Sequence, residues 1–221
     1  MFLVVMKEER EHKNHKDDVI KVAEELFSKN GYGKTTVSEI IDKVNIAKGT
    51  FYYYFQSKEE VLDCIVDKHV KFLIKKANEV KANDNLSLIE KIVGIIQSQK
   101  LESMEERKIL EEIYRPENAL MHQKIRNKLI ETLSPILAEI VIEGNEKGIF
   151  KAEYPLEYMA ILLSATMILT DRNWTFNDNN NVIQALFSTL ELILNVDKGC
   201  FSFAVNNLFS DNNFSIENKE G

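Results

Sequence analysis

Apolar residues recur at intervals of three and four along most of this chain, which is the spacing of one face of an α-helix. Runs that alternate apolar and polar residues, as half-buried strands do, are missing, and the 221 residues include only three prolines and eight glycines. The pattern therefore predicts an all-α protein. With 44% hydrophobic residues, a chain of this length can bury one large core or two smaller ones.

The segment 35–58, TTVSEIIDKVNIAKGTFYYYFQSK, predicts two short helices joined by a tight turn. Thr36 and Glu39 have the spacing of a capping box, in which each side chain bonds to the backbone of the other residue at a helix N-terminus. Asn45 suits the turn, because asparagine tolerates the left-handed backbone conformation. The second helix is expected to begin near Ala47.

This second helix carries side chains that a solvated helix surface does not need. Phe51 and Phe55 lie four residues apart and are expected to face the core. An alternative interpretation places the tyrosines in the core as well, but five adjacent aromatic side chains cannot all face inward on one helix. We therefore expect an outward-facing set that comprises Lys48, Gly49, Thr50, Tyr52, Tyr53 and Tyr54.

These residue types suit DNA. A glycine lets the backbone approach a phosphate, and hydroxyls near helix N-termini lie where backbone N–H groups and the helix dipole favour an anion. Lysines neutralise phosphates, while a tyrosine offers a flat face to a thymine methyl group or a sugar. We predict a helix-turn-helix that reads the major groove of a double-stranded DNA operator through Thr35, Thr36, Lys48, Gly49, Thr50, Tyr52, Tyr53, Tyr54 and Lys58.

The same region resembles the TetR/AcrR-type bacterial transcriptional regulators. The resemblance runs from about Val19 to Val61 and is carried by Leu26-Phe27, Gly31-Tyr32, Thr35-Thr36-Val37 with Ile40, Lys48-Gly49-Thr50-Phe51-Tyr52, Tyr54-Phe55 and Lys58. It implies that the family contacts DNA through the positions occupied here by Thr36, Lys48, Thr50, Tyr52, Tyr54 and Lys58. It also implies that Tyr53 falls at a variable position that sets specificity. It also implies an N-terminal three-helix DNA-binding domain followed by a larger C-terminal helical domain for ligand binding and dimerisation.

Four positions depart from the family pattern. The family usually has alanine where Ile41 and Val44 stand, and a turn glycine where Asn45 stands. It usually has serine or threonine where Ala47 stands, and the loss of such a helix cap costs about 0.5–2 kcal/mol. These departures affect the predicted affinity and docking on DNA rather than the fold.

Charge and composition further limit the classes of function, compartment and cofactor that the sequence allows. The net charge of −7 argues against indiscriminate binding of nucleic acid, yet residues 29–58 contain five lysines against Glu39 and Asp42, a local net charge of +3. The apolar residues 1–6 are too few to span a membrane. Cys64 and Cys200 fit a reduced, cytoplasmic protein and lack metal-type spacing, so we expect no metal and no cofactor.

The breaks in the pattern predict the domain organisation. We expect a flexible lead-in at 1–15, with the first helix starting at Asp17 or Asp18, and a DNA-binding domain at 16–60. A connecting helix is predicted at 61–81, an effector-binding and dimerisation domain at 82–200, and a tail at 201–221. The helices near 155–172 and 180–196 are apolar nearly all round. We therefore predict that they form a four-helix interface in a homodimer, the alternative being an ordinary single-chain core.

The resemblance implies a small-molecule effector among the middle helices. Candidate lining residues are Met104, Tyr114, Met121, His122, Phe150 and Trp174, and the sequence does not identify the effector. A small tilt of the helix at 58–81 would break the register of two half-sites that lie roughly one turn of DNA apart. We thus expect effector binding to release a repressor from its operator, although activation also fits the sequence.

Two other classes of function fit the sequence less well. A DNA-associated adaptor of the same fold would act through protein partners without a small-molecule effector, and the absence of an effector-sized cavity would distinguish it. An enzyme is disfavoured, because the sequence offers no Ser/His/acid constellation, no metal-ligand cluster and no Gly-rich nucleotide loop.

Overall fold

The structure is a computed structural model that describes residues 2–99, 116–169 and 179–202. Throughout these ranges the regular elements are helical, which confirms the predicted all-α fold. They are α1 (Phe2–Asn30), α2 (Val37–Val44), α3 (Lys48–Tyr54), α4 (Lys58–Lys81), α5 (Leu88–Ser98), a 3-10 turn (Pro116–Asn118), α6 (Ala119–Glu146), α7 (Pro155–Leu169) and α8 (Asn179–Leu194).

The chain divides into two compact units. In the described ranges, the first unit comprises residues 2–73 and 116–129, and the second comprises residues 74–99, 130–169 and 179–202. The divisions fall inside α4 and α6, so each of these continuous helices contributes to both units. The domain boundaries predicted from composition remain a prediction.

Helix α1 starts earlier than the sequence suggested. It begins at Phe2, whereas we expected a flexible lead-in and a helix start at Asp17 or Asp18. No proline or glycine interrupts residues 2–30, and the glutamates, lysines and arginine between the apolar start and Asp17 have high helix propensity. The charged lead-in can therefore extend the same helix.

The core of the first unit joins α1 to the short helices and to the start of α4 and α6. Its apolar side chains are almost inaccessible to solvent, and they belong to residues that recur with helical spacing. They are Val19, Ala23, Leu26, Phe27, Ile40, Phe51, Phe55, Val61, Leu62, Ile65, Val66, Val70, Met121, Ile125 and Leu129.

The second unit packs α5, the later turns of α6, α7 and α8 around one apolar cluster. Phe150, which lies in the connection between α6 and α7, is buried in this cluster and lies against Gly144. The side-chain amide of Asn145 accepts a hydrogen bond from Ala152 N and donates one to Ala152 O, at 3.0 and 2.8 Å. These contacts fold the turn back onto the end of α6.

Several helices are followed by a residue with a left-handed backbone. Asn45, predicted for this turn, ends α2 with φ 59°, and Gly31 and Gly148, which follow α1 and α6, have φ 86° and 70°. Asn195 ends α8 in the same left-handed region at φ 54°, which the sequence reading did not single out. Asparagine and glycine tolerate this region because their steric penalty there is small.

Candidate DNA-binding surface

Helix α2 is fixed at both ends by local hydrogen bonds. The Thr36 hydroxyl accepts a hydrogen bond from Glu39 N at 3.2 Å, and a Glu39 carboxylate oxygen accepts from Thr36 N at 2.7 Å, which confirms the predicted capping box. Asn45 N donates to the Asp42 carbonyl at 3.2 Å and closes the other end. The two short helices are thus joined by a defined turn of three residues, 45–47.

Helix α3 separates its aromatic residues into an inner and an outer group. Phe51 and Phe55 are buried, with ring centroids 5.8 Å apart. Tyr52 and Tyr53 are 48% and 73% exposed, which is unusual for side chains of this size, and Tyr54 is half-buried. The structure therefore places the tyrosines outside the core, and α3 presents a row of phenol groups to solvent.

The outer aromatic side chains contact one another and a lysine. The rings of Tyr53 and Tyr54 meet edge to face with centroids 4.9 Å apart, and Lys48 Nζ lies 5.9 Å from the centre of the Tyr52 ring. Partial burial, and then the neighbouring Tyr53, raise the pKa of the Tyr54 hydroxyl. A protonated tyrosine hydroxyl can donate to a phosphate oxygen. These contacts link the outer side chains of α3 to one another.

Gly49 lies on the same exposed surface, and the fold gives no reason for a glycine there. A Cβ atom added at this position would meet nothing within 4 Å. Glycine in a helix is less favourable than alanine by roughly 0.8–1.0 kcal/mol, so its presence calls for an explanation outside the domain. Close approach of a DNA phosphate to the backbone is such an explanation.

The two adjacent threonines have different surroundings. Thr35 is buried, and its hydroxyl donates to the carbonyl oxygens of Gly31 and Leu26 at 2.9 and 3.3 Å. Thr36 is exposed, but its hydroxyl and N–H both bind the Glu39 carboxylate. Backbone and side-chain hydrogen bonds from Thr36 lower the pKa of Glu39, so an anion already occupies the N-terminus of α2.

Lys58 is also engaged within the protein. Its Nζ donates to the carbonyl oxygens of Tyr32 and Thr35, both at 2.7 Å, and lies 4.2 Å from the centre of the Tyr32 ring. Partial burial lowers the pKa of this ammonium group, while the charge of Glu39 opposes that effect. The motif spacing predicted a phosphate contact for Lys58, and these long-range contacts could not be read from the sequence.

The half-buried Thr50, with Lys48, Gly49 and the tyrosines, completes the surface that α3 presents. Other exposed lysines of the first unit lie on α1, the α1–α2 turn and α2, namely Lys29, Lys34 and Lys43. One of them, Lys43, pairs with Glu25 at 3.0 Å. The surface combines Lys48, outward phenol groups and a short helix whose inner face is anchored in the core.

The candidate effector residues fall into separate environments. Met121 is buried in the core of the first unit, and His122 beside it is half-buried. Phe150 belongs to the second unit, where its ring fills the space beside Gly144. Met104, Tyr114 and Trp174 lie outside the described residues.

The described ranges contain no cluster of three metal-ligating side chains, and no helix within them is long and apolar enough to cross a membrane. The first unit contains a capped helix, a turn and then a short helix with an exposed polar and aromatic face. This order of elements is the architecture of a helix-turn-helix DNA-binding protein.

Comparisons with known proteins identify the family. The family model described as "Bacterial regulatory proteins, tetR family" matches residues 19–65, and the model "Tetracyclin repressor-like, C-terminal domain" matches residues 100–192. The chain therefore belongs to the TetR/AcrR-type transcriptional regulators.

Individual relatives agree with this assignment. The chain is 28% identical over 181 residues to the "Fatty acid metabolism regulator protein" of Bacillus subtilis (strain 168), which covers 80% of this chain and 92% of that protein. It is 41% identical over 59 residues to an uncharacterized HTH-type transcriptional regulator of Lactococcus lactis subsp. lactis, and this match spans 27% of the chain and only 30% of the relative. The crystal structure of RolR with resorcinol matches at a TM-score of 0.59 and 17% identity over 89% of this chain and 94% of that one, which shows the shared fold.

Proposed function

We propose that the protein is a repressor that binds a palindromic operator as a homodimer and leaves it when a small molecule binds its second unit. The observation that carries this proposal is the outward face of α3, where Tyr53 is 73% exposed on a helix whose opposite face is buried. In this proposal Lys48, Gly49, Thr50 and the hydroxyl of Tyr54 contact the DNA backbone, and Tyr52 and Tyr53 contact base edges. Acting on DNA in this way, the protein would work in the cytoplasm.

Exposed apolar side chains on α7 and α8 support the proposed dimer. On α7, Ile161 is 62% exposed and Ile168 is 42% exposed, and Ala165 lies between them on the same face. On α8, the exposed Ala185 and Leu192 share one face. Small residues between large apolar ones allow two helices to approach closely, and a second copy of this pair would cover both faces.

The continuous helix α4 supports a mechanism of release. It begins directly after the α3 segment, in the first unit, and its last turns belong to the second unit. An effector that favours one inclination of α4 would change the spacing of the two α3 helices in a dimer. Half-sites lie about one helical turn of DNA apart, so a small change in spacing breaks their register, and a coupling of about 1–3 kcal/mol gives useful release.

The full-length relative supports a class of effector. Because the match to the fatty acid metabolism regulator covers 92% of that protein, we propose that the effector is a fatty-acid-derived molecule and that the regulated genes serve fatty-acid metabolism.

Two substitutions test the DNA-binding part of the proposal. Lys48→Ala removes one cationic contact and is expected to weaken binding to every sequence and to flatten its salt dependence, whereas Tyr53→Ala is expected to change which bases are preferred. If both variants lost the same affinity for every DNA sequence, the assignment of specificity to Tyr53 would be contradicted.

The effector part has its own test. Fatty acids of increasing chain length are added to the protein–operator complex, with resorcinol as a comparison of different chemistry. We expect a chain-length-dependent loss of operator affinity of about 5- to 150-fold. Compounds that bind the protein and leave operator affinity unchanged would contradict release by an effector and favour the adaptor function.

A further inference from the structure

The turn between α1 and α2, residues 31–35, is held by side chains that are distant in sequence. Lys58, the first residue of α4, donates to two of its carbonyl oxygens, those of Tyr32 and Thr35, at 2.7 Å each. An ammonium group has three N–H donors, so two of the three are used inside the protein. The Tyr32 ring, 4.2 Å from Nζ, covers the same cation.

Asn118, which immediately precedes α6, holds the same turn. Its side-chain oxygen accepts a hydrogen bond from Tyr32 N at 3.0 Å, and Asn118 is completely buried. Gly31 in the turn has φ 86°, and a Cβ atom there would lie 2.6 Å from Glu117 Cβ. The 3-10 turn therefore packs directly on the α1–α2 turn.

Two ion pairs of Lys124 fix the start of α6 in this unit. Lys124 Nζ lies 2.9 Å from a Glu59 carboxylate oxygen and 2.7 Å from an Asp63 carboxylate oxygen, both on the first turns of α4. These ion pairs connect α4, which carries Lys58, to α6, which Asn118 immediately precedes. The anchored turn leads without interruption into Thr36, which caps α2, and α2 leads into α3.

We propose that Lys58 and Asn118 are positioning residues for DNA binding: they fix the α1–α2 turn and hence the start of α2, and Lys58 does not neutralise a phosphate. This inference rests on the proposed DNA-binding function. It differs from the sequence-based prediction, which gave Lys58 the same role as Lys48. The geometry assigns the two lysines different roles, because Lys48 is exposed on α3 and Lys58 is bonded to the turn.

Salt dependence distinguishes the two roles. Each phosphate contact contributes about 0.9 to the slope of log Kobs against log salt concentration on duplex DNA. Binding to a duplex enriched from a random pool is measured at several salt concentrations for the wild type, Lys48→Ala, Lys58→Met, Asn118→Ala and the double variant Lys58→Met/Asn118→Ala. Lys71→Met, an exposed lysine on the same helix α4, is the matched control. All measurements are made well below the melting temperature of the least stable variant.

We expect Lys48→Ala to reduce the magnitude of the salt slope by about 0.9, the contribution of one phosphate contact. Lys58→Met should keep the wild-type slope and bind about 10-fold more weakly at every salt concentration. Asn118→Ala, which removes no charge, should give a similar loss, and the double variant should lose less than the product of the two, because both side chains hold one turn. Lys71→Met should leave affinity and slope close to those of the wild type. If Lys58→Met does not fold, Lys58→Gln, which is neutral and keeps an N–H donor, gives the same slope comparison.

The inference would be overturned if the neutral Lys58 variants lost as much salt slope as Lys48→Ala. It would also be overturned if folded Asn118→Ala bound DNA with wild-type affinity, or if the affinity losses of the two single variants multiplied fully in the double variant. If the wild type itself shows no sequence preference and no salt-dependent DNA binding, the proposed function fails instead.

Discussion

His69 Nε2, on α4, lies 2.7 Å from Oε1 of Glu24, on α1, and Lys68 Nζ lies 2.8 Å from the second oxygen of the same carboxylate. Burial alone would raise the pKa of Glu24, but the hydrogen bonds and charges of these two partners outweigh burial and lower it to about 2. The carboxylate therefore joins two helices that frame the DNA-binding unit.

Glu24→Gln should destabilise the protein by about 1–3 kcal/mol at neutral pH, because it replaces charged hydrogen bonds by neutral ones at a largely buried site. Since the folded-state pKa lies below the ordinary value of 4.5, the stabilisation is complete above that pH and disappears as the pH falls towards 2. Urea unfolding at several pH values measures this difference. Glu25→Gln is the control, because the Glu25–Lys43 pair is about half exposed and should contribute no more than about 1 kcal/mol. Equal losses for both variants would refute the prediction.

Gly144→Ala should destabilise the second unit strongly. The added Cβ would clash with the ring of Phe150, which is 1% exposed and belongs to the packed core. Overpacking of this kind costs about 1–3 kcal/mol or more. Gly33→Ala is the matched control, since its Cβ would meet nothing within 4 Å. Thermal melting of the two variants compares them directly, and similar melting temperatures would contradict the close packing of Phe150.

Gly49→Ala should separate folding from DNA binding. The fold leaves open space at this position, and alanine favours a helix over glycine by roughly 0.8–1.0 kcal/mol, so the melting temperature should stay the same or rise. The new methyl group would stand between the α3 backbone and a phosphate, and we expect a loss of about 10-fold in operator affinity, equivalent to about 1.4 kcal/mol. An unchanged affinity would remove Gly49 from the DNA-contacting surface.

The dimer prediction is tested on the exposed apolar residues of α7 and α8. Ile161→Glu and Leu192→Glu should each produce monomers in sedimentation at micromolar concentration, because a buried charge without a partner opposes association. Leu120→Glu, at a position 38% exposed on α6, should leave the dimer intact. A wild-type protein that sediments as a monomer would contradict the interface.

The sequence predicted those features of the fold that depend on neighbouring residues. The Thr36–Glu39 capping box, the left-handed Asn45 and the uncapped start of α3 at Ala47 all involve groups within a few positions of one another. Such local interactions follow from residue type and spacing. The inward Phe51 and outward Tyr53 follow in the same way from helical geometry.

Features that depend on distant residues could not be predicted in this way. The bond from Tyr32 N to Asn118 spans 86 positions, and the bonds of Lys58 to the α1–α2 turn span 26 and 23. Spacing alone assigned Lys58 and Thr35 to DNA, since both lie in the motif, whereas the structure places their polar atoms in contacts within the domain. The effector residues depend on tertiary packing even more, because a pocket brings together helices whose pairing the sequence does not specify.

Selection of bound duplexes from a random DNA pool tests the central proposal most directly. We predict enrichment of a palindrome whose half-sites lie about one helical turn apart, each read by one α3 helix of a dimer. Recovery of sequences without a shared motif, or of a single unrepeated half-site, would contradict an operator-binding dimer.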